Sequence, residues 1–415
     1  MIKRLAIKII VIIVVVIFIF STGFWLGINF YSVKEFATQT NTNSIFEVKS
    51  DITQNKEAQN SFSLKPLEEA INLLNQRALN QVSKNQLMVY AIEGIIGSLD
   101  DKYAEYFTEE EYAQIIESFS GTMSGIGVVV TLDDQERVLI VKVIEGTPAD
   151  GAGLKKEDII TEVEGDPIQG LSLEKVVSKI KGEEGTSVNI TVFRPSEDKT
   201  FKLDITRQRF YVPNLFAEML DGNIGYIQYI GFQERGSEKL EEEIENLIED
   251  GAEGIIFDLR NNLGGVLDDA VNVSDLFLNE GTIVIVKGRA GEELKVSEYT
   301  AKKGGFTEIP LVVLINQYSA SASELVAGAL KENDRAILVG EESFGKGTVQ
   351  TLKELSNGAG LKFTNSKYFL PSDRSIEEIG IKPDIKVELD SEAEEDLQLE
   401  RAKEEIKSMI SDKDG

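Results

Sequence analysis

The chain has 415 residues, with 71 Asp and Glu against 43 Lys and Arg, and a formal net charge of −28. It contains no histidine and no cysteine, which excludes a Ser-His-Asp hydrolase, a cysteine peptidase and a zinc enzyme built on His or Cys ligands. Such an acidic chain repels phosphate backbones, so no nucleic acid is expected as a partner. A serine nucleophile here would need a lysine, a carboxylate or an amino terminus as its base, and Ser-Lys is an established arrangement.

In chain order, residues 1–8 make a short basic start with Lys3 and Arg4. Residues 9–30 are apolar and carry no charge, matching the about 20 residues of helix that a bilayer core needs. The run exceeds the about 7–15 residues of a signal-peptide core, and no alanine between Ala6 and Ala37 offers a small-residue cleavage site. The sequence therefore predicts a transmembrane signal anchor with its amino end cytoplasmic and the remainder at the membrane but extracytoplasmic. Residues 31–60 are polar and read as a flexible linker.

Residues 61–119 turn helical. Leu67, Ala70, Ile71 and Leu74 share one face, and Met88, Ala91, Ile92 and Ile95 another, so three packed helices are expected. From 120 to 208 the order changes to short strands around one helix at 173–180. The loop Ser124-Gly125-Ile126-Gly127, the turn Thr147-Pro148-Ala149 and Gly153-Leu154 before Asp158-Ile159-Ile160 carry a resemblance to a PDZ domain. Successive amides of Gly125, Ile126 and Gly127 would cup a terminal carboxylate, and the strand from Val128 would take a peptide as an added strand.

Residues 209–390 alternate strand and helix, which predicts βαβ crossovers and a mainly parallel sheet. Two turns follow strands and open helices, where such folds place their chemistry. One runs Asp258-Leu259-Arg260-Asn261-Asn262-Leu263-Gly264-Gly265. The other is Ser319-Ala320-Ser321-Ala322-Ser323-Glu324, in which Ser321 and Glu324 also fit a capping box. A helix start offers free amides where an oxyanion would form, and a Gly-Gly turn can bring up another. Downstream, Lys346 lies between Gly345 and Gly347. Residues 391–415 form an acidic tail with charges at i, i+4 spacing, predicted to be a solvated helix.

The D-L-R-x-N-x-G-G turn, the S-A-S-A-S-E segment and G-x-x-x-F-G-K-G-x-V-Q, behind a PDZ-like region, together resemble the carboxyl-terminal processing peptidases, tail-specific Ser-Lys serine peptidases. The resemblance runs from about Ser61 to Leu389, including SLDDKYAEYF and YFLPSDRSIEEIGIKPDI. It implies an α/β peptidase core of crotonase/ClpP-like type with an inserted PDZ domain. It implies Ser321 as nucleophile, Lys346 as general base and Gln350 orienting that lysine. The oxyanion hole would use the amide of Ala322 and one of the pair Gly264 and Gly265. The substrates implied are proteins or peptides with apolar C-terminal tails, no cofactor or metal is required, and assembly into a homo-oligomer is open.

Two positions depart from the family pattern. Asp373 stands where relatives often have glycine, and Lys181 where they commonly carry the arginine that couples PDZ and core; lysine lacks arginine's planar fork. A lysine with the ordinary pKa of about 10.4 is neutral in only about one molecule in 2,500 at pH 7, so the base needs desolvation, for which Phe344 and Val349 are the candidate neighbours. The competing readings are an inactive scaffold of the same fold that only binds tails, and a hydrolase of small acyl compounds.

Overall fold

A computed structural model describes residues 63–413, apart from 134, 291–292, 303 and 389–394. The predicted anchor at 9–30 and the linker lie outside the described residues. Among the described residues, no helix is long and apolar enough to cross a membrane. The chain divides into two units at Tyr106/Phe107.

The first unit contains the helices Lys65–Arg77 and Lys84–Gly97. Pro66 opens the first, at a position where its missing amide costs nothing. Ser83 caps the second by accepting from the Gln86 amide at 3.2 Å. The amphipathic pattern is present, yet neither helix has a buried residue. Leu74, Met88 and Ile95 stand exposed. Ile71, Ala91 and Ile92, from the same faces, are half-buried.

The second unit opens with the helix Glu109–Ser120, whose Thr108 and Glu111 form the reciprocal capping box and whose end is closed by Gly121. A two-stranded ribbon, Thr122–Gly125 against Gln208–Tyr211, leads into and out of the PDZ-like region. That region is a sheet ordered Val128–Leu132, Val138–Val143, Ile159–Val163, Ser187–Arg194, Lys199–Thr206, with the helix Leu173–Ile180. Its separate core is built on Ile126, Ile140, Val163, Val176, Val188 and Ile190. Val128–Leu132 pairs on one side only and is the edge of the sheet.

The remainder is built on a six-stranded sheet. Leu215–Leu220 runs antiparallel to Ile224–Tyr229, after which Gly254–Asp258, Leu311–Ile315, Ile337–Gly340 and Ile385–Lys386 follow in parallel. The central strands Gly254–Asp258 and Leu311–Ile315 are buried at every position and apolar at all but the final Asp258, so both faces of the sheet need cover. Ile255, Phe257, Leu311, Val313 and Ile315 face the helices Gly236–Glu249, Leu267–Phe277 and Ala322–Glu332. Ile256, Val312, Leu314 and Val339 face the other way, and there the helix Leu397–Lys413 covers them with Ala402 and Ile406.

Two expectations are corrected here. The acidic tail is helical, but it is docked rather than solvated: its charges lie outside an apolar stripe that the second sheet face requires. The alternation over 209–390, read as one mainly parallel sheet, also includes a strand at 282–290 that does not join it. As Thr282–Ala290 it pairs with Glu293–Thr300 and with Gly360–Phe369, which pairs with Thr348–Glu354, in a separate antiparallel sheet. The helix Ala322–Glu332 has no exposed side until its last residues. Ala322 through Leu330 are all buried, because this helix is enclosed on every side.

Candidate active site

The three serines after the strand Leu311–Ile315 have different fates. Ser319 and Ser323 are fully buried, and their hydroxyls donate to the carbonyls of Leu259 and Asn262 at 2.8 Å each. They fasten the serine segment to the Asp258–Gly265 turn. Ser321, between them, is half-buried and adopts φ 56°, ψ −112°, a sparsely populated conformation costing about 1–3 kcal/mol. Its amide donates to Glu324 Oε2 at 2.8 Å, as the S-x-x-E spacing predicts.

Glu324 does more than cap. It is fully buried, and its carboxylate also accepts from Ser343 Oγ (2.6 Å), the Gly345 amide (2.6 Å) and the Lys346 amide (2.9 Å). Burial pushes its pKa above the ordinary carboxylate value, against the opposing pull of those donors. One side chain thus ties the start of the helix to the lysine loop. The other side of that loop is held by Glu377, which accepts from the Gly347 amide at 2.7 Å. A second link is the Tyr368 hydroxyl, within hydrogen-bonding reach of the Ser321 carbonyl at 2.9 Å and of the Lys346 carbonyl. Residues 321 and 346 are therefore neighbours in space.

Gln350 lies on the strand Thr348–Glu354 beside an irregularity in register between Val349 and Gln350. Its amide group donates to Thr348 Oγ1 at 2.9 Å and Thr364 Oγ1 at 3.3 Å. Val349 packs against the main core. Phe344 does not supply the expected apolar cover, since 58% of it is exposed.

Gly264 has φ 103°, and a β-carbon on it would lie 2.8 Å from the Ala320 carbonyl oxygen and 3.0 Å from the Ala322 nitrogen. The close approach of the two turns requires glycine there. The Gly264 amide is engaged by Asn262 Oδ1 at 2.8 Å. The amides of Gly265 and Ala322 donate to no protein group among the described residues.

In the PDZ-like region, Gly127 has φ 88°, and a β-carbon would meet Thr147 Oγ1 at 2.2 Å. The amides of Ile126 and Gly127 donate to no protein group among the described residues, and the edge strand begins at Val128. Lys181 follows the helix Leu173–Ile180, its amide bonded to the Val177 carbonyl at 2.8 Å. The arginine that grips this helix end is Arg207, donating to the Ile180 carbonyl at 2.7 Å and the Lys179 carbonyl at 3.1 Å.

Sequence reasoning missed the wider role of Glu324, for which the capping-box spacing was the only signal. It also missed Tyr368, although that residue opens the segment YFLPSDRSIEEIGIKPDI, and Arg207, for which there was no signal. Among the described residues, no cluster of acidic side chains could hold a metal ion.

Comparison with known proteins adds three family matches: Activating protease CtpB N-terminal domain over residues 20–111, PDZ domain over 124–205, and Peptidase family S41 over 223–387. A CtpA-like serine protease of Staphylococcus aureus is 35% identical over 328 residues, 79% of this chain and 65% of its own length. One from Staphylococcus epidermidis is 36% identical over 327 residues, 78% of this chain and 65% of its own length. The chain thus spans about 65% of the curated relatives it matches. Among solved structures, a photosystem II D1 C-terminal processing protease is 27% identical, with TM-score 0.46, covering 81% of this chain and 89% of that one.

Proposed function

Because the chain belongs to the carboxyl-terminal processing peptidases of family S41, we propose that it is a membrane-anchored, extracytoplasmic serine endopeptidase that captures the C-terminal tail of its protein substrates. The observation that carries this reading is the pair of links, Glu324 and Tyr368, joining the backbones of Ser321 and Lys346 in a chain without histidine. Ser321 Oγ attacks the scissile carbonyl while the unprotonated Lys346 Nζ takes its proton. The oxyanion is received by the amides of Ala322 and Gly265. Gly265 is favoured over Gly264 because the Gly264 amide already serves Asn262. Lys346 then returns the proton to the leaving amine, and water releases the acyl group with the same base assisting. Gln350 orients the lysine.

Tail capture falls to the Gly125–Val128 loop and strand. The amides of Ile126 and Gly127 meet the terminal carboxylate, and the open edge of Val128–Leu132 accepts the tail as a strand. Residues 9–30 anchor the chain, and Lys181 with Arg207 links tail occupancy to the core. The exposed faces of Lys65–Arg77 and Lys84–Gly97 are the surface for self-association.

The test is incubation of the full chain in detergent with an unfolded protein ending in apolar residues. Wild type cleaves it, while Ser321→Ala and Lys346→Ala do not, and Ser321→Ala still binds the tail. The rate rises with pH as a single basic group deprotonates. A tail binder that never cuts would refute the reading, as would residual Lys346→Ala activity titrating with the wild-type midpoint.

A further inference from the structure

Four large apolar side chains stand exposed around the Ser321 turn: Leu263 (40%), Tyr318 (51%), Phe344 (58%) and Ile379 (51%). Single exposed apolar residues are ordinary on any surface. These, however, are half of the large apolar side chains exposed between 209 and 390 among the described residues, and they come from four separate loops. Each loop touches another beside Ser321. Phe344 donates its amide to the Ser319 carbonyl at 3.0 Å, one residue from Tyr318. Leu263 precedes Gly264, which packs against Ala320, Ser321 and Ala322. Ile379 follows Glu378, whose amide donates to the Gly345 carbonyl at 2.8 Å, one residue from Phe344.

Their backbones are fixed although their side chains are bare. Ser343 and Gly345, on either side of Phe344, are buried and bonded to Glu324. Asn262, before Leu263, is fully buried and donates to the Tyr229 carbonyl at 2.8 Å. The Tyr318 amide donates to Asn316 Oδ1 at 3.1 Å and the Ile379 amide to the Ile376 carbonyl at 2.9 Å. The backbone that presents each of these apolar groups is thus held in place. Apolar groups presented rigidly bind with little ordering entropy to lose.

We propose that Leu263, Tyr318, Phe344 and Ile379 form an apolar rim that receives the substrate side chains flanking the scissile bond, setting cleavage-site preference apart from tail preference. This rests on Ser321 being the nucleophile. The occupant is an extended polypeptide segment with apolar residues next to the cut, because the rim borders the nucleophile rather than the tail loop.

The experiment uses two quenched fluorescent peptides with one identical apolar tail, one carrying Leu and Val beside the cleavage site and the other Ser and Gln. The shared tail cancels capture by the PDZ-like region. For wild type, kcat/KM favours the apolar-flanked peptide. In Phe344→Ala and Leu263→Ser the ratio between the two falls about 10-fold each, with unchanged thermal midpoints. Ratios that match wild type in both variants overturn the proposal. Cleavage that persists in Ser321→Ala would instead overturn the reading of the nucleophile on which it rests.

Discussion

Replacing Gly264 by alanine tests the approach of the two turns directly. The added β-carbon would sit 2.8 Å from the Ala320 carbonyl oxygen and 3.0 Å from both the Ala322 nitrogen and Ser321 Cβ. That is about 0.6 Å short of ordinary contact at the tightest point. All but one of these atoms are backbone, so no side chain can swing aside to relieve the overlap. The turn must retreat by a few tenths of an ångström, comparable to the ~0.5 Å tolerance of a catalytic constellation. Since a 1 Å misplacement can cost ~100-fold, kcat should fall about 10- to 100-fold. Positive φ adds about 1–2 kcal/mol of strain. The control is Gly251→Ala, which has a similar φ of 98° but open space around it. It should lose similar stability and keep wild-type kcat. Urea unfolding and steady-state cleavage of a tailed peptide measure both variants. Wild-type kcat in Gly264→Ala, or an equal loss in Gly251→Ala, would refute the argument.

Burial raises the pKa of Glu324 above its ordinary value of about 4.3. A folded pKa above the unfolded one means this group's contribution is fully present below the unfolded pKa and is lost as pH rises through the folded value. Relative to Glu324→Gln, wild-type stability should therefore decline as pH rises above about 4; unfolding curves that stay parallel with pH would contradict it. Gln at 324 should also slow cleavage, because whichever end carries the NH2 group faces two donors. Gly127→Ala should weaken tail-peptide binding at least about 10-fold, read by fluorescence anisotropy, because Thr147 fills the space. Arg260→Ala should cost about 3–5 kcal/mol in urea unfolding. It leaves the fully buried Asp258 without the guanidinium that contacts it at 2.7 Å, and an unchanged midpoint would count against it.

Much of this site was legible because its signals are local. The S-x-x-E spacing forecast the bond between the Ser321 amide and Glu324, and strand-then-turn patterns located both turns at the carboxyl ends of Gly254–Asp258 and Leu311–Ile315. Periodicity reports which face of an element is apolar, and is silent about what covers it. Hence the 391–415 tail was read from its charges as a solvated helix, and the strand Thr282–Ala290 was counted with the parallel sheet. Phe344 was assigned to the lysine's surroundings by its nearness in sequence. Its exposure is set by Glu324 and Ser319, which hold the loop on both sides. Asp373 was singled out because relatives often carry glycine there. It adopts φ 60°, a conformation that aspartate tolerates better than most residues, and its carboxylate pairs with Lys287.

The Arg260 fork also carries a timetable. One part is filled by Asp258, two residues away, as soon as the strand forms. Another is filled by Asp396 and Gln398, 136 and 138 residues later in the chain. Closing so long a loop belongs to the late steps of folding. On a ribosome adding about 5–20 residues each second, the arginine waits about 7–27 s for its partners even to be made. During that interval the face of the sheet formed by Ile256, Val312 and Leu314 has no helix to cover it. The core around the two turns is thus completed only once Asp396 and the helix after it have been made, and a chain interrupted before Asp396 lacks both the cover and the clamp beside its glycine turn.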